Sequence, residues 1–159
     1  MNISSAQHER LTFLCRISQK EMHHLLGTDR RLFADILTIE AAQKIETAPI
    51  LADPLDAFAS RFGRLQDNLG DKFLPQPLLA LAEKPGAAID NLDRAERLGW
   101  IESAETWLEI RKLCNQMVHE HIEDLAILTS ALQAGHQHFA TLMNSGQKMM
   151  AQAQRLIAH

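Results

Sequence analysis

The sequence predicts an all-α fold, an antiparallel bundle of five to six helices in one domain spanning residues 1–159. Three observations carry that prediction. Helix breakers are scarce, with 7 glycines and 5 prolines among 159 residues. Alanine, leucine, glutamine and glutamate are abundant, while β-branched runs are few. Apolar residues recur at three- and four-residue spacing in segment after segment.

The first helix is expected from about Ser5 to Leu26, where Leu11, Leu14, Cys15, Met22, Leu25 and Leu26 keep helical spacing. Gly27 suits a left-handed stop, and Thr28 suits the cap of a second helix over Arg30–Thr47 with Ile36, Leu37 and Ile39 on its apolar side. Pro49 ends that helix. Asp53-Pro54 reads as the next start, because Asp accepts from free amides and Pro pre-sets the first turn. Leu55, Phe58, Phe62, Leu65 and Leu69 then form an i, i+3, i+7 stripe that Gly70 closes. Pro75, Pro77 and Lys84-Pro85-Gly86 mark a broken connection with a short helical turn around Leu78–Leu81. Asp90–Leu98 is a short helix stopped by Gly99. Ser103 caps a helix from about Ala104 to His121, with Glu105 in its first turn, where the dipole favours an acid. A last long helix starts near Asp124 and is weakened near Gly135 and Ser145-Gly146.

Composition narrows the function classes. Hydrophobic residues make up 46% of the chain and charged residues 23%, which excludes disorder along the whole length. No window approaches about 18 uninterrupted apolar residues, so no membrane-spanning helix is expected. Neither a basic n-region nor an apolar h-region opens the chain, which points to the cytoplasm. The net charge of −4 argues against coating nucleic acid by bulk charge, so any such contact needs a local patch. Cys15 and Cys114 form no CxxC pair and are expected as reduced thiols.

The informative stretch is Trp107 to His121. On a helical wheel Trp107, Ile110, Leu113, Cys114, Met117 and Val118 share one apolar face. Arg111, Asn115 and His119 follow at i, i+4, i+8 along its border. An imidazole, a carboxamide and a guanidinium on one ridge are suited to acid/base, positioning and electrostatic work. The same triplet also suits ordinary surface or interface hydrogen bonds.

The segment Leu108–Asp124 resembles the motif helix of HEPN-domain proteins, in particular the HepT-like toxins. That motif is written Arg-Asn-x-x-x-His, often followed by x-Tyr, and Asn115 and His119 fit its Asn-x-x-x-His part. Arg61–Asp67, the Glu83–Gly86 turn, and Asp90–Ile101 followed by Trp107 extend the resemblance to roughly Asp53–Asp124. The resemblance implies an all-helical homodimer with its motif helices near the two-fold axis. It also implies a metal-independent endoribonuclease without cofactor, the toxin of a toxin–antitoxin pair. Its expected partners are an RNA substrate and a small nucleotidyltransferase antitoxin that adds AMP to the motif tyrosine.

The chain departs from the motif twice. Cys114 stands at the arginine position, and His121 stands where the tyrosine is expected in a chain that has none. A thiol does not offer the fixed positive fork of a guanidinium. The expected catalytic set is therefore His119 and Asn115, with Arg111 one turn earlier supplying charge and His121 a second imidazole. Cys114 and Lys112 stand as binding positions beside them. His121 also fits a packed or interface histidine. The alternative function is a catalytically silent helical subunit that binds a nucleotide or a nucleotidyltransferase partner through the same face.

Other signals read as structure. Glu21-x-x-His24 has the spacing of a metal bundle, but such a bundle needs a second copy and two more glutamates. His119-x-His121 and His136-x-His138 point apart on a helix and do not chelate one ion. Arg61, Arg64 and Asp67 fit helix-surface ion pairing. Arg94, Arg97, Arg111 and Lys112 are interspersed with Asp90, Asp93, Glu96 and Glu109 on a mixed, solvated face. Met143, Met149 and Met150 read as packing residues.

Overall fold

The computed structural model describes residues 2–35, 37–82, 84–119 and 124–159; for Ile45, Glu46, Pro49, Ile50, Leu51 and His119 it describes the backbone alone. The described residues are helical and contain no strand. In chain order the helices are α1 (Ser5–Leu32), α2 (Ile39–Thr47), α3 (Pro49–Asp67), α4 (Pro75–Ala80), α5 (Ala88–Arg97), α6 (Ala104–His119) and α7 (Leu125–Ile157). A π-helical turn, Asn68–Phe73, joins α3 to α4.

Four of these helices make the frame. α1 packs on α3 and α7, α3 packs on α6, and α6 packs on α7. Pairings along each interface fix the directions. Thr28 meets Arg61 and Ser18 meets Asn68, so α1 and the α3–π segment run antiparallel. Gly63 lies against Cys114 and Gly70 against Trp107, so α3 and α6 are antiparallel too. Asp29 meets His136 and Met22 lies against Gly146, which sets α7 antiparallel to α1. The result is an up-down-up-down bundle closed by the α1–α7 contact. One hydrophobic cluster runs through it, built on Leu11, Leu14, Leu25, Phe58, Phe62, Leu65, Leu69, Phe73, Trp107, Ile110, Met117, Leu132, Leu142 and Met149. Burying side chains of this size contributes about 1.5–3 kcal/mol each.

Several predicted boundaries move, each for a local reason. α1 opens on a capping box: Ser4 Oγ accepts from the Gln7 amide, and Gln7 Oε1 accepts from the Ser4 amide. It does not stop at Gly27 but continues to Leu32. Thr28, expected as a cap, is buried inside the helix. Its hydroxyl donates to the His24 carbonyl at 3.0 Å and accepts from the Arg61 guanidinium. A threonine bonded back to the preceding turn has no need to leave the helix. Arg30–Leu32 therefore belongs to α1, where Arg30 and Arg31 favour the C-terminal dipole. The second helix starts later, capped by Thr38, whose Oγ1 accepts from the Ala41 amide at 3.1 Å.

Pro49 does not only end α2; it opens α3 at the first helical position. Asp53-Pro54 consequently lies inside α3, one turn after its start. Leu55, Phe58, Phe62, Leu65 and Leu69 are buried as the stripe predicts. Gly70 does not close that helix. It sits in the π turn, where a Cβ would come within 3.0 Å of the Trp107 indole nitrogen. The glycine is there for close approach, not for a stop.

The later elements follow their expectations closely. α5 ends before Gly99, which takes a positive φ of 75°. Ser103 Oγ accepts from the Thr106 amide at 3.2 Å at the start of α6. Asp124 caps α7 by accepting from the Ala126 and Ile127 amides. α7 runs unbroken through Gly135 and Ser145-Gly146, however. Gly135 lies under Met117 and Phe58, and Gly146 lies against Met22 and Leu69. Close helix crossing explains these glycines, and packing outweighs their poor helix propensity. Met149 is buried and Met143 and Met150 are half-buried against the core.

Candidate functional site

α6 crosses the bundle with Trp107, Ile110, Cys114 and Met117 turned into the core. Leu113 is half-buried, and Val118, expected on the same face, is largely exposed. The polar ridge beside this face looks toward α3. Between the two helices lies an open groove of about 470 Å³, whose walls include Asp56, Ser60, Arg64 and Asp67 from α3 and Cys114 and Asn115 from α6. Ala59, Gly63 and Cys114 are the small residues among those lining it. A Cβ on Gly63 would stand only 3.9 Å from the Cys114 Cβ, so the helix backbones approach closely there.

Asn115 is exposed on the wall of this groove. Cys114, one residue earlier, is 5% exposed and forms part of the floor. Burial pushes its thiol up to about 12, and the nearby Asp67 carboxylate adds to the shift. The side chain at position 114 is thus a neutral, sequestered thiol at physiological pH.

Arg111 does not turn into the groove wall alongside Asn115. Its Nη2 donates to Asp71 Oδ2 at 3.1 Å, tying α6 to the π turn. A guanidinium held this way is partly neutralised by its partner. Lys112 is exposed on the outer side of α6. His119 is the last residue of α6, one helical turn beyond Asn115, and its side chain lies outside the described residues. His121 also lies outside them.

Arg64 takes a place that spacing along α3 alone does not disclose. It reads as a structural ion-pair residue, yet it lines the groove and is exposed. Among the described residues its hydrogen-bond partner is the Ser60 hydroxyl, at 3.1 Å, and its charge helps to hold down the Glu21 carboxyl. A signal was present: Asp56, Ser60, Arg64 and Asp67 recur at helical spacing and form a polar ridge beside the Phe58–Leu65 stripe. The spacing does not disclose that this ridge faces the Asn115 ridge.

The remaining polar clusters bind the helices together. Gln66 is buried; its carboxamide accepts from Trp107 Nε1 at 3.2 Å and donates to Asp67 Oδ1 at 2.9 Å. Asn68 donates to Ser18 Oγ at 3.0 Å and Glu21 Oε2 at 3.3 Å. Burial raises the Glu21 carboxyl above its ordinary value, and the Asn68 hydrogen bond holds that rise back. His136 Nδ1 lies 2.7 Å from Asp29 Oδ1, and its ring stacks on Phe33. Arg94 reaches the Lys84 carbonyl rather than joining a basic patch with Arg111. Among the described residues no group of three His, Cys, Asp or Glu side chains is placed to hold a metal ion. No described helix is long and apolar enough to cross a membrane.

Neither a protein-family model, nor a curated protein, nor a solved structure matches the chain.

Proposed function

We propose that this chain is a HepT-like helical protein of the HEPN type and acts as a metal-independent endoribonuclease, the toxin of a toxin–antitoxin pair. The observation that carries the reading is the α3–α6 groove, which presents the exposed Asn115 of the Asn-x-x-x-His motif beside a guanidinium from α3. An open groove of about 470 Å³ has room for a ribose-phosphate unit of a single strand.

The reaction needs no metal. His119, one turn beyond Asn115, takes the proton of a ribose 2′-hydroxyl. The 2′-oxygen forms a bond to phosphorus in line with the departing 5′-oxygen, and the P–O5′ bond breaks. The leaving oxygen takes a proton from an acid, the role given to His121. Asn115 positions the phosphate by hydrogen bonding. The products are a 2′,3′-cyclic phosphate and a free 5′-hydroxyl.

Exposed apolar side chains, Leu108 on α6 and Ile127 at the start of α7, are available to a homodimer interface. The partner proposed for control is a small nucleotidyltransferase. Without a tyrosine, control by this partner rests on binding or on another residue.

A second reading is a silent subunit that binds a nucleotide or that nucleotidyltransferase. The buried, protonated Cys114 and the engagement of Arg111 by Asp71 favour it. Incubation of the purified protein with RNA in excess EDTA, beside His119→Ala, separates the two. Cleavage to 2′,3′-cyclic ends that the variant lacks supports the enzyme. Folded protein that leaves a broad RNA panel intact supports the silent subunit.

A further inference from the structure

The geometry assigns Arg64 as the phosphate-binding residue of the α3–α6 groove, in place of the guanidinium that position 114 lacks. The inference rests on the ribonuclease reading and adds a residue to it from a different helix.

Four observations lead there. Cys114 is buried and uncharged, so the motif position supplies no cation. Arg111, the nearest alternative on α6, is engaged by Asp71 at 3.1 Å. Arg64 lines the same groove as Asn115 and directly follows Gly63, the residue packed on Cys114. Its hydrogen-bond partner among the described residues is a neutral hydroxyl, Ser60 Oγ. The hydroxyl carries no charge to neutralise the guanidinium, which the Glu21 carboxyl senses only as a secondary influence behind burial and its Asn68 hydrogen bond.

Arg64 also lines a second hollow of about 590 Å³ between α1 and the π turn, where Arg10, Phe13 and Lys72 lie. It therefore borders both hollows, the second of which also carries Glu21, Asp67 and Asp71. Asp56 and Asp67 sit in the groove with it, so Arg64 is the positive point on an otherwise acidic wall. A planar fork of donors holds two non-bridging phosphate oxygens at once, which lysine does not reproduce. The charge that develops on those oxygens during in-line attack is where such a donor contributes most.

The test uses the full chain, an RNA substrate in EDTA, and the same RNA made uncleavable by 2′-O-methylation. Arg64→Gln is expected to lower cleavage by about 100-fold or more, the range for loss of one charge-stabilising donor. Arg64→Lys is expected to recover part of it. With the uncleavable RNA, Arg64→Gln is expected to reduce the slope of log affinity against log salt by about 0.7, one phosphate contact on a single strand. Melting temperature checks the fold, and Arg64 is exposed enough that it should hold. Cleavage by Arg64→Gln equal to wild type overturns the assignment while leaving the ribonuclease reading in place. Loss of cleavage in Arg111→Gln with Arg64→Gln unaffected also overturns it. A wild type that neither cleaves nor binds RNA removes the ribonuclease reading and the assignment with it. A wild type that binds without cleaving leaves the salt slope to decide, and an unchanged slope rejects Arg64.

Discussion

The Asp29 carboxylate of α1 and the His136 imidazole of α7 meet at 2.7 Å, with the imidazole stacked on Phe33 at 4.0 Å between ring centroids. Asp29 is 6% exposed, so this bond satisfies an acceptor that has little access to water. His136→Ala is expected to destabilise the bundle by about 1–3 kcal/mol, because it strands a buried acceptor. Asp29→Asn in the same background should recover part of the loss by removing the stranded charge. Urea midpoints of the two variants and the double variant measure the coupling. Equal midpoints for wild type and His136→Ala would show that the pair does not hold α1 to α7.

Gly70 and Gly135 both lie at close helix crossings, yet their alanine variants should differ. A Cβ on Gly70 meets the rigid Trp107 indole at 3.0 Å, and that indole is buried and hydrogen-bonded to Gln66. A Cβ on Gly135 meets the terminal methyl of Met117, the movable end of a flexible side chain, and stands 3.3 Å from the Phe58 ring edge. Gly70→Ala should cost about 1–3 kcal/mol through overpacking. Gly135→Ala should cost less, since alanine regains roughly 1 kcal/mol of helix propensity within α7. Thermal unfolding of both variants checks the order.

Cys114 should resist alkylation in the folded protein. Its thiol, pushed up to about 12 by burial, is protonated at neutral pH and shielded from solvent. Cys15 is half-buried, and its thiol is also raised by burial. Iodoacetamide at neutral pH should therefore label Cys15 ahead of Cys114, and urea should release both. The same shift sets an alkaline dependence. An unfolded cysteine ionises near 8.5, so below that pH both states keep the proton and the contribution to stability is complete. Between there and about 12 the unfolded chain loses its proton while the native thiol keeps it, and stability falls. Cys114→Ala should flatten that part of the decline, read as urea midpoints from pH 8 to 10.

Arg111→Ala should change stability by less than about 1 kcal/mol, because the pair with Asp71 is solvent-exposed at both ends. Cleavage should survive the substitution if the groove takes its charge from α3. Strong loss of cleavage with an unchanged melting temperature would instead give Arg111 a phosphate role.

The fold was legible where one helix carries its own pattern. The stripe from Leu55 to Leu69 is buried residue for residue, and Ser103 and Asp124 cap the helices that follow them. Glycines misled, because their local preference for turns was overruled by contacts with distant residues. Gly27, Gly70 and Gly135 each sit within or beside a helix rather than at its end. The same limit applies to the site. Spacing along α6 singles out Asn115, but that Arg64 lines the same groove depends on how α3 packs across it. The ties of Arg111 to Asp71 and His136 to Asp29 likewise join residues far apart in the chain, and periodicity within one helix has no access to them.

Gly63 marks the width of the groove at its narrowest crossing. An added Cβ would stand 3.9 Å from the Cys114 Cβ, which is ordinary contact. An alanine at position 63 is therefore accommodated without wedging the helices apart, and it narrows the hollow by one methyl group. The altered chain keeps every charged group that the original has. Shape and chemistry thus become separable: the groove is trimmed while Asn115 and Arg64 stay in place.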